Sequence, residues 1–574
     1  MTFPVTMTRL NIIHAITGLI VTGLLSGCGT TSGSEDPLVK IKSIDNKGNA
    51  PEIKREALSK LIGLDGRLND STRLFQPKLT DSFYRPIGYG NVWSIDKNWK
   101  PVCDSLYKFI ENAKGYGLYP ASYHYFPLRA IRERFSRDSA SRDREETWSD
   151  ADLLLTDACI HLFNDLRYGR LNQSIQYDSS KSKKEFLLTK LTQLINEGNL
   201  AFIVAELEPK STEYQSLRKA LPAFVGNMDK RAYTYVPFPY DKKNEGDSLK
   251  FIRSISQRLR ESGCIDYTKK LPDSTALADA LKKYQQQKQL KPTGKVDAAL
   301  IKNMNTTDAA RFEQIAITLD KYKELNYPLP EKYILVNLPA YRLQLWDKDK
   351  LALESKIICG KPSTRTPVLQ SELTDMVIYP TWTVPNSIIV KQYLPRLKNN
   401  PHYLSRLGLQ LYGANGRPIN PASINWQKYS KGIPYKIMQN SGDRNALGVL
   451  KFNFKNDYAV YLHDTNQRYL FKNSMRALSH GCVRVEKWDS LAYYMARNDS
   501  ISLKPGDTLR YNTDSLKQWL SKKQYRRVDI QNRIPLFISY FSCEASEGNL
   551  IFHEDIYGED RDYRIKYFQP LNID

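Results

Sequence analysis

Tyr461-Leu462-His463-Asp464-Thr465, followed by Arg476-Ala477-Leu478-Ser479-His480-Gly481-Cys482-Val483-Arg484-Val485, is the most informative stretch of this chain. A β-compatible run ends at a histidine, and a Gly-Cys turn follows 19 residues later. A free cysteine, with a pKa of about 8.5, is only a few per cent thiolate at neutral pH, so a nucleophilic cysteine needs an imidazole to take its proton. His463 and His480 are the two candidates for that base. Gly481 lets the backbone come close to whatever binds at the turn.

Working outward, runs rich in β-branched and aromatic residues occur at 333–337, 341–346, 353–359, 375–383, 449–454 and 460–463, with Pro339 breaking the first pair. They predict a mostly antiparallel, β-rich catalytic domain over 309–574, entered through a helical stretch at about 309–324 and ending in a C-terminal extension. A polar, helix-compatible insertion at 388–439 interrupts it and holds Tyr393, Tyr403, Tyr412, Trp426 and Tyr429. An insertion of that length is read equally as a lid or as passive decoration.

Upstream the pattern is helical. Apolar residues recur at three- and four-residue spacing over 104–114 and 150–166, and Gly115, Gly117 and Pro120 punctuate the first of these. A helical scaffold over 81–245 follows, in which His124 and His161 read as structural histidines. Residues 246–308 imply two or three short helices around Leu281-Lys282-Lys283-Tyr284-Gln285 and Leu290-Lys291-Pro292-Thr293-Gly294-Lys295-Val296-Asp297. The whole is a multidomain α+β chain.

Ser479-His480-Gly481-Cys482-Val483-Arg484, with its histidine upstream at His463, strongly resembles the YkuD-type L,D-transpeptidase catalytic domain. Gly360-Lys361-Pro362-Ser363-Thr364-Arg365-Thr366-Pro367, and Asn445-Ala446-Leu447-Gly448 leading into Lys451-Phe452, resemble further signatures of that family. Tyr379-Pro380-Thr381-Trp382-Thr383-Val384-Pro385, Ile534-Pro535-Leu536-Phe537 and Asp555-Ile556-Tyr557-Gly558 resemble its large, scaffold-bearing members. The 246–308 segment is similar to the small helical peptidoglycan-binding module those enzymes carry. One departure is plain: Asn440-Ser441-Gly442-Asp443-Arg444 stands where typical large members have a Pro-Gly pair, which puts the substrate fit near that loop in question.

The resemblance implies that Cys482 is the nucleophile and His463 its base, with the backbone carbonyl of Asp464 holding the imidazole and His480 structural or substrate-orienting. Backbone N–H groups of Gly481 and Cys482, helped by the Tyr461 hydroxyl and with Ser479 orienting the turn, are the expected oxyanion donors, each worth about 3 kcal/mol. Arg484, Trp382 and Asn445 are the expected substrate contacts, although Arg484 reads equally as a scaffold ion-pair residue. The implied reaction is acyl transfer through a thioester on peptidoglycan stem peptides, in cell-wall biogenesis. Water as acceptor gives an L,D-carboxypeptidase side activity, and carbapenems are implied inhibitors. No cofactor or metal is expected.

The N-terminus sets the compartment. Arg9 precedes an apolar stretch over 10–25, and Leu25-Ser26-Gly27-Cys28 resembles a bacterial lipobox. Residues 1–28 therefore read as a lipoprotein signal peptide with Cys28 lipidated, and 29–80 as a linker and N-terminal segment. The protein is expected to face the periplasm on a lipid anchor, with the outer membrane favoured. Eighty-four Lys and Arg against 62 Asp and Glu give a formal charge of +22, which favours acidic partners. Export removes nucleic acid from that set. A charged share of 25% with 41% apolar residues excludes general disorder.

Seven widely spaced cysteines form neither a paired metal motif nor a dense disulfide framework. With Cys28 and Cys482 set aside, at most two bridges could form among the other five, which read as small buried hydrophobes. Two rival classes remain on the page. A non-catalytic wall-binding lipoprotein fits the anchor, the charge and the helical module but has no need of His463 and Cys482. A papain-like peptidase needs its cysteine before its histidine, the reverse of the order found.

Overall fold

The β-rich half closes on itself. In the computed structural model, which describes residues 40–568 apart from 64–65, 67–71, 172–180, 267–269, 289, 326–328, 504–505 and 507, eight strands form a ring. They are β1 (Lys332–Asn337), β2 (Arg342–Asp347), β3 (Lys350–Gly360), β4 (Leu369–Ile378), β5 (Leu450–Phe454), β6 (Leu462–His463), β7 (Val483–Val485) and β8 (Pro535–Ser539). The ring order is β5-β6-β7-β3-β2-β1-β8-β4, and β4 pairs back onto β5. Most pairings are antiparallel, as the run spacing predicts; β6–β7 and β8–β1 are parallel.

Alternation explains which side chains fill the barrel. Ile334 and Val336 on β1, Leu343 and Leu345 on β2, and Phe452, Leu462 and Val483 on β5, β6 and β7 are all fully buried in one cluster. Their sequence neighbours point outward. The expected strand at 375–383 starts earlier, at Leu369, and breaks at Tyr379, whose φ of 47° cannot continue a strand.

The insertion is α-helical only in its first half, with two short 3-10 turns at Pro421–Ser423 and Trp426–Lys428 further on. Short helical segments at Leu394–Asn399 and Tyr403–Arg406 lead into a four-stranded sheet of Trp382–Thr383, Lys436–Gln439, Leu409–Tyr412 and Pro418–Ile419. The physical reason lies in Leu409-Gln410-Leu411-Tyr412, where the two leucines are buried and Gln410 is exposed, a strand period placed just before a glycine-containing turn. The insertion has its own core, built from Val384, Leu397, Leu411, Trp426 and Ile437.

The upstream half is helical. Glu145–Tyr168 is its axis and is buried along nearly its whole length. The periodicity places this helix at 150–166 and a second at 104–114; the second runs Pro101–Glu111, because Pro101 is tolerated in a first helical turn. Ala50–Gly63, read from sequence as part of a linker, is a helix packed against Glu145–Tyr168, with Leu58 and Leu61 in the shared core. His124 and His161 bond or pair with Asp157 and Asp165 at 2.8 and 3.4 Å and sandwich the Phe75 ring. They are scaffold histidines.

Glu245–Glu261, Ser274–Gln287 and Ala298–Asn305 are the three helices expected in 246–308. Gln285 explains the Tyr-Gln and Gly signals there: buried, it accepts from Gly294 N at 2.9 Å and donates to Thr293 Oγ1 at 3.0 Å. Helix Asp308–Lys323 joins the parts. Phe312, Ile315 and Leu319 pack with Tyr214 and Leu217 of the helical half and with Leu335 and Phe537 of the barrel. Cys28 and the apolar stretch before it lie outside the described residues.

Candidate active site

Parallel pairing between β6 and β7 brings the distant halves of the motif together. Leu462 pairs with Val483 and His463 with Arg484, while Val483 N donates to Tyr461 O at 3.1 Å. Because Leu462 and Val483 point into the barrel, Tyr461, His463, Cys482 and Arg484 share the other face. They line one cavity of about 450 Å³, together with Trp382, Tyr393, Leu447, Tyr458, Ser479 and His480. Strands β6 and β7 supply the floor; the insertion supplies the wall that Trp382 and Tyr393 belong to.

Cys482 is half-buried, and burial pushes its thiol above the ordinary range. Opposing that shift, the Tyr461 N–H and hydroxyl and the cations Lys451 and Arg484 favour the thiolate, while the sulfur itself meets the Ala459 carbonyl at 3.9 Å. The Trp382 indole in turn favours the ionised Tyr461 oxygen, against the larger upward push of burial. His463 is 4% exposed, with Nδ1 against the Asp464 carbonyl. Burial first, then Arg484, pulls its pKa down to about 3, so the imidazole is neutral across the physiological range. Neutral imidazole beside neutral thiol is the resting state.

The Gly-Cys turn is held from behind. Gly481 sits at φ +124°, a conformation that L side chains rarely adopt. Its N–H donates to Ser479 Oγ at 3.1 Å, and that hydroxyl donates to the Cys482 carbonyl at 2.6 Å. This corrects the expected oxyanion arrangement: the Gly481 N–H is already spent on the Ser479 side chain. Among the described residues no acceptor takes the Cys482 N–H, which leaves it as the backbone donor. Ser479 orients the turn rather than the substrate.

Asn445 is corrected as well. It is 1% exposed; its Nδ2 donates to the carbonyls of Asn440 and Pro380 at 2.8 and 3.1 Å, and its Oδ1 accepts from Leu447 N at 2.9 Å. It clamps a loop whose Ala446 and Leu447 face the cavity. Gly448 belongs to the same clamp, because a Cβ there would lie 2.3 Å from Asp464 Oδ2. Asp464 itself is buried and gripped by Arg468 at 3.0 and 2.7 Å, so its side chain holds the loop while its carbonyl meets His463.

His480 is exposed on the rim, where its Nε2 meets Gln392 of the insertion. Burial lowers its pKa too. Arg484 donates to Gln467 Oε1 at 3.0 Å, and its Nε is buried with no partner. No carboxylate pairs with it among the described residues, so the scaffold ion-pair reading of Arg484 has no support.

Two positions inside the quoted family-like stretches, not singled out from sequence as site residues, complete the site. Thr366 Oγ1 donates to the Gly481 carbonyl at 2.7 Å and accepts from Gly360 N at 2.9 Å. Tyr557, from the C-terminal extension, donates to Gly360 O at 2.8 Å and accepts from Thr366 N at 3.2 Å. The extension thus braces the back of the Cys482 turn. The other described cysteines, 103, 159, 264, 359 and 543, are buried and free.

Residues 331–503 match the family described as the L,D-transpeptidase catalytic domain, YkuD, and residues 78–221 match the family described as the Scaffold domain. A Haemophilus influenzae protein named "Putative L,D-transpeptidase" is 39% identical over 228 residues, 40% of this chain and 44% of that protein. The alignment therefore spans less than half the length of that relative. The catalytic domain of an E. faecium L,D-transpeptidase acylated by ertapenem is 13% identical over 37% of this chain and 98% of that one, with a TM-score of 0.16. An L,D-transpeptidase from Mycobacterium smegmatis is 12% identical over 36% and 58%, with a TM-score of 0.17. Scores that low add nothing to the family match. On the family match, residues 331–503 are an L,D-transpeptidase catalytic domain of the YkuD family, carried behind a Scaffold domain at residues 78–221.

Proposed function

We propose that the chain is a cysteine-dependent L,D-transpeptidase that cross-links peptidoglycan stem peptides, with Cys482 as nucleophile and His463 as general base. The observation that carries this reading is the β6–β7 pairing, which turns both side chains into one cavity beside Tyr461 and Arg484. The sulfur attacks the carbonyl joining the L-centre of the third stem residue to the terminal D-alanine, and His463 takes the thiol proton as the S–C bond forms. Collapse of the tetrahedral intermediate expels D-alanine, whose nitrogen receives that proton, and leaves a thioester. A side-chain amine of a second stem then displaces the sulfur; water in its place gives the L,D-carboxypeptidase outcome.

Both partners rest neutral, so the proton moves during attack rather than before it. The Cys482 N–H is the oxyanion donor in this scheme, and the Tyr461 hydroxyl shifts to the oxyanion as the sulfur gives up its charge. The orphaned Arg484 Nε supports a role in gripping a stem-peptide carboxylate. Trp382 and Tyr393 supply the apolar wall.

The remaining assignments stand on the sequence: a periplasm-facing lipoprotein anchored through Cys28, with 246–308 holding the wall and 81–245 as the scaffold. Acylation of Cys482 by carbapenems belongs to the same proposal and rests on the motif resemblance. Incubating purified protein with muropeptides and reading the products by mass spectrometry tests the proposal. New cross-links and released D-alanine are expected, both lost in Cys482→Ala; a C482A variant that still releases D-alanine sinks it.

A further inference from the structure

Lys451 closes the family stretch that runs from Asn445 but has so far no role, and the sheet register pairs it with His463. Lys451 on β5 pairs with His463 on β6, which pairs with Arg484 on β7. The adjacent row, Phe452, Leu462 and Val483, is fully buried in the barrel. A cation, an imidazole and a second cation therefore stand side by side on the cavity-facing surface, one on each of three neighbouring strands about 4.8 Å apart. The Lys451 ammonium sits 4.0 Å from the centroid of the ring of Tyr461, a residue that lines the same cavity as Cys482 and favours its thiolate. Among the described residues no carboxylate lies within ion-pair distance of it.

We infer that Lys451 is a positioning residue of the reaction: seated on the Tyr461 ring, its charge stabilises developing negative charge on the Cys482 sulfur. The inference rests on Cys482 being the nucleophile. Two routes carry the effect. A cation on the face of a phenol draws electron density from the ring and makes its O–H a better donor to sulfur. The same charge also attracts the thiolate directly, and it repels a proton from His463.

The other charged groups around this row are engaged elsewhere or stand apart from the Tyr461 ring. Arg484 lies on the far side of His463, and Asp464 is neutralised by Arg468. Asp375 on β4 acts on Lys451 but is paired with Arg527 at 3.1 Å. Tyr469 acts on Arg484, and His480 lies on the rim. None of these replaces a cation on the Tyr461 ring.

Alkylation of the full chain tests this, with modification followed on the Cys482 peptide by mass spectrometry at fixed pH 8. Losing one cation raises a thiol by about one unit, which lowers the thiolate fraction about tenfold; the higher intrinsic nucleophilicity of the more basic sulfur returns part, leaving about a fourfold loss. Lys451→Met is expected to slow iodoacetamide about fourfold at Cys482 and to slow anionic iodoacetate further, while Lys451→Arg stays within about twofold of the parent. A changed ratio of anionic to neutral reagent is a charge effect that altered packing does not produce. Lys451→Gln repeats the uncharged measurement with a polar tip, so a melting defect in K451M does not decide the matter. Parent-like rates in both uncharged variants, or equal slowing in K451R and K451M, overturns the inference. D-alanine release by Cys482→Ala reports separately on the nucleophile: activity there removes the parent reading, whereas an inactive C482A with parent-like K451M alkylation removes this inference alone.

Discussion

Removing the Tyr557 hydroxyl should loosen the nucleophile without touching the cavity. Tyr557→Phe keeps the ring stacked on Tyr540, with centroids 5.6 Å apart, and beneath Arg365 at 5.5 Å. It deletes the bonds to Gly360 O and Thr366 N, leaving an acceptor and a donor orphaned at a position only 5% exposed. At about 1–3 kcal/mol per orphaned buried group, with strand neighbours partly relieving the carbonyl, the expected cost is about 2–3 kcal/mol. For a domain of this size that corresponds to a fall of about 4–10 °C in Tm, readable as the barrel's transition by calorimetry. The same slack passes through Thr366 Oγ1 to the Gly481 carbonyl and so to Cys482. A displacement approaching an ångström costs about a hundredfold, so kcat for D-alanine release should fall about ten- to a hundredfold. A lowered Tm with unchanged kcat would refute the coupling to the nucleophile; an unchanged Tm would refute the brace itself.

Further tests follow from single residues. Gly481→Ala forces an L residue at φ +124°, costing about 1–3 kcal/mol of strain, and should abolish D-alanine release while leaving the helical half's thermal transition unchanged. Asn445→Ala orphans the carbonyls and N–H of its clamp and should lower stability by about 2–4 kcal/mol and raise KM, because Ala446 and Leu447 line the cavity. His463 has its folded pKa lowered from 6.5 to about 3, so the unfolded chain binds a proton that the folded chain refuses. Stability contributed above pH 6.5 is therefore lost as pH falls toward about 3, by about 4 kcal/mol, and His463→Gln should flatten denaturant midpoints across that window.

How far the chain could be read depends on the range of each signal. The strands at 342–347 and 450–454 were legible because burial alternates along them, and the one at 332–337 because it is a continuous apolar run buried on both faces, patterns written locally. His463 and Cys482 were singled out through their neighbours and line one cavity, and the imidazole meets the Asp464 carbonyl as the resemblance implied. Asn445 was assigned to substrate because a polar residue in a motif carries no sign of which way it points; the loop turns it inward, and Leu447 faces the cavity instead. Ser479 takes the Gly481 N–H for the same kind of reason.

Sequence alone determined the elements, helical scaffold, short helical module and β-rich catalytic domain, and singled out one histidine and one cysteine as the pair for the proposed acyl transfer. Those follow from periodicity and side-chain chemistry, which act over a few residues. Only tertiary structure decided that the strands close into a ring and that the second half of the insertion is a sheet. It also placed Lys451 on the Tyr461 ring and set Tyr557 behind Gly481 from some 76 residues beyond it. Register and long-range hydrogen bonding set these contacts, because each is fixed by where two remote strands meet rather than by either strand's own residues.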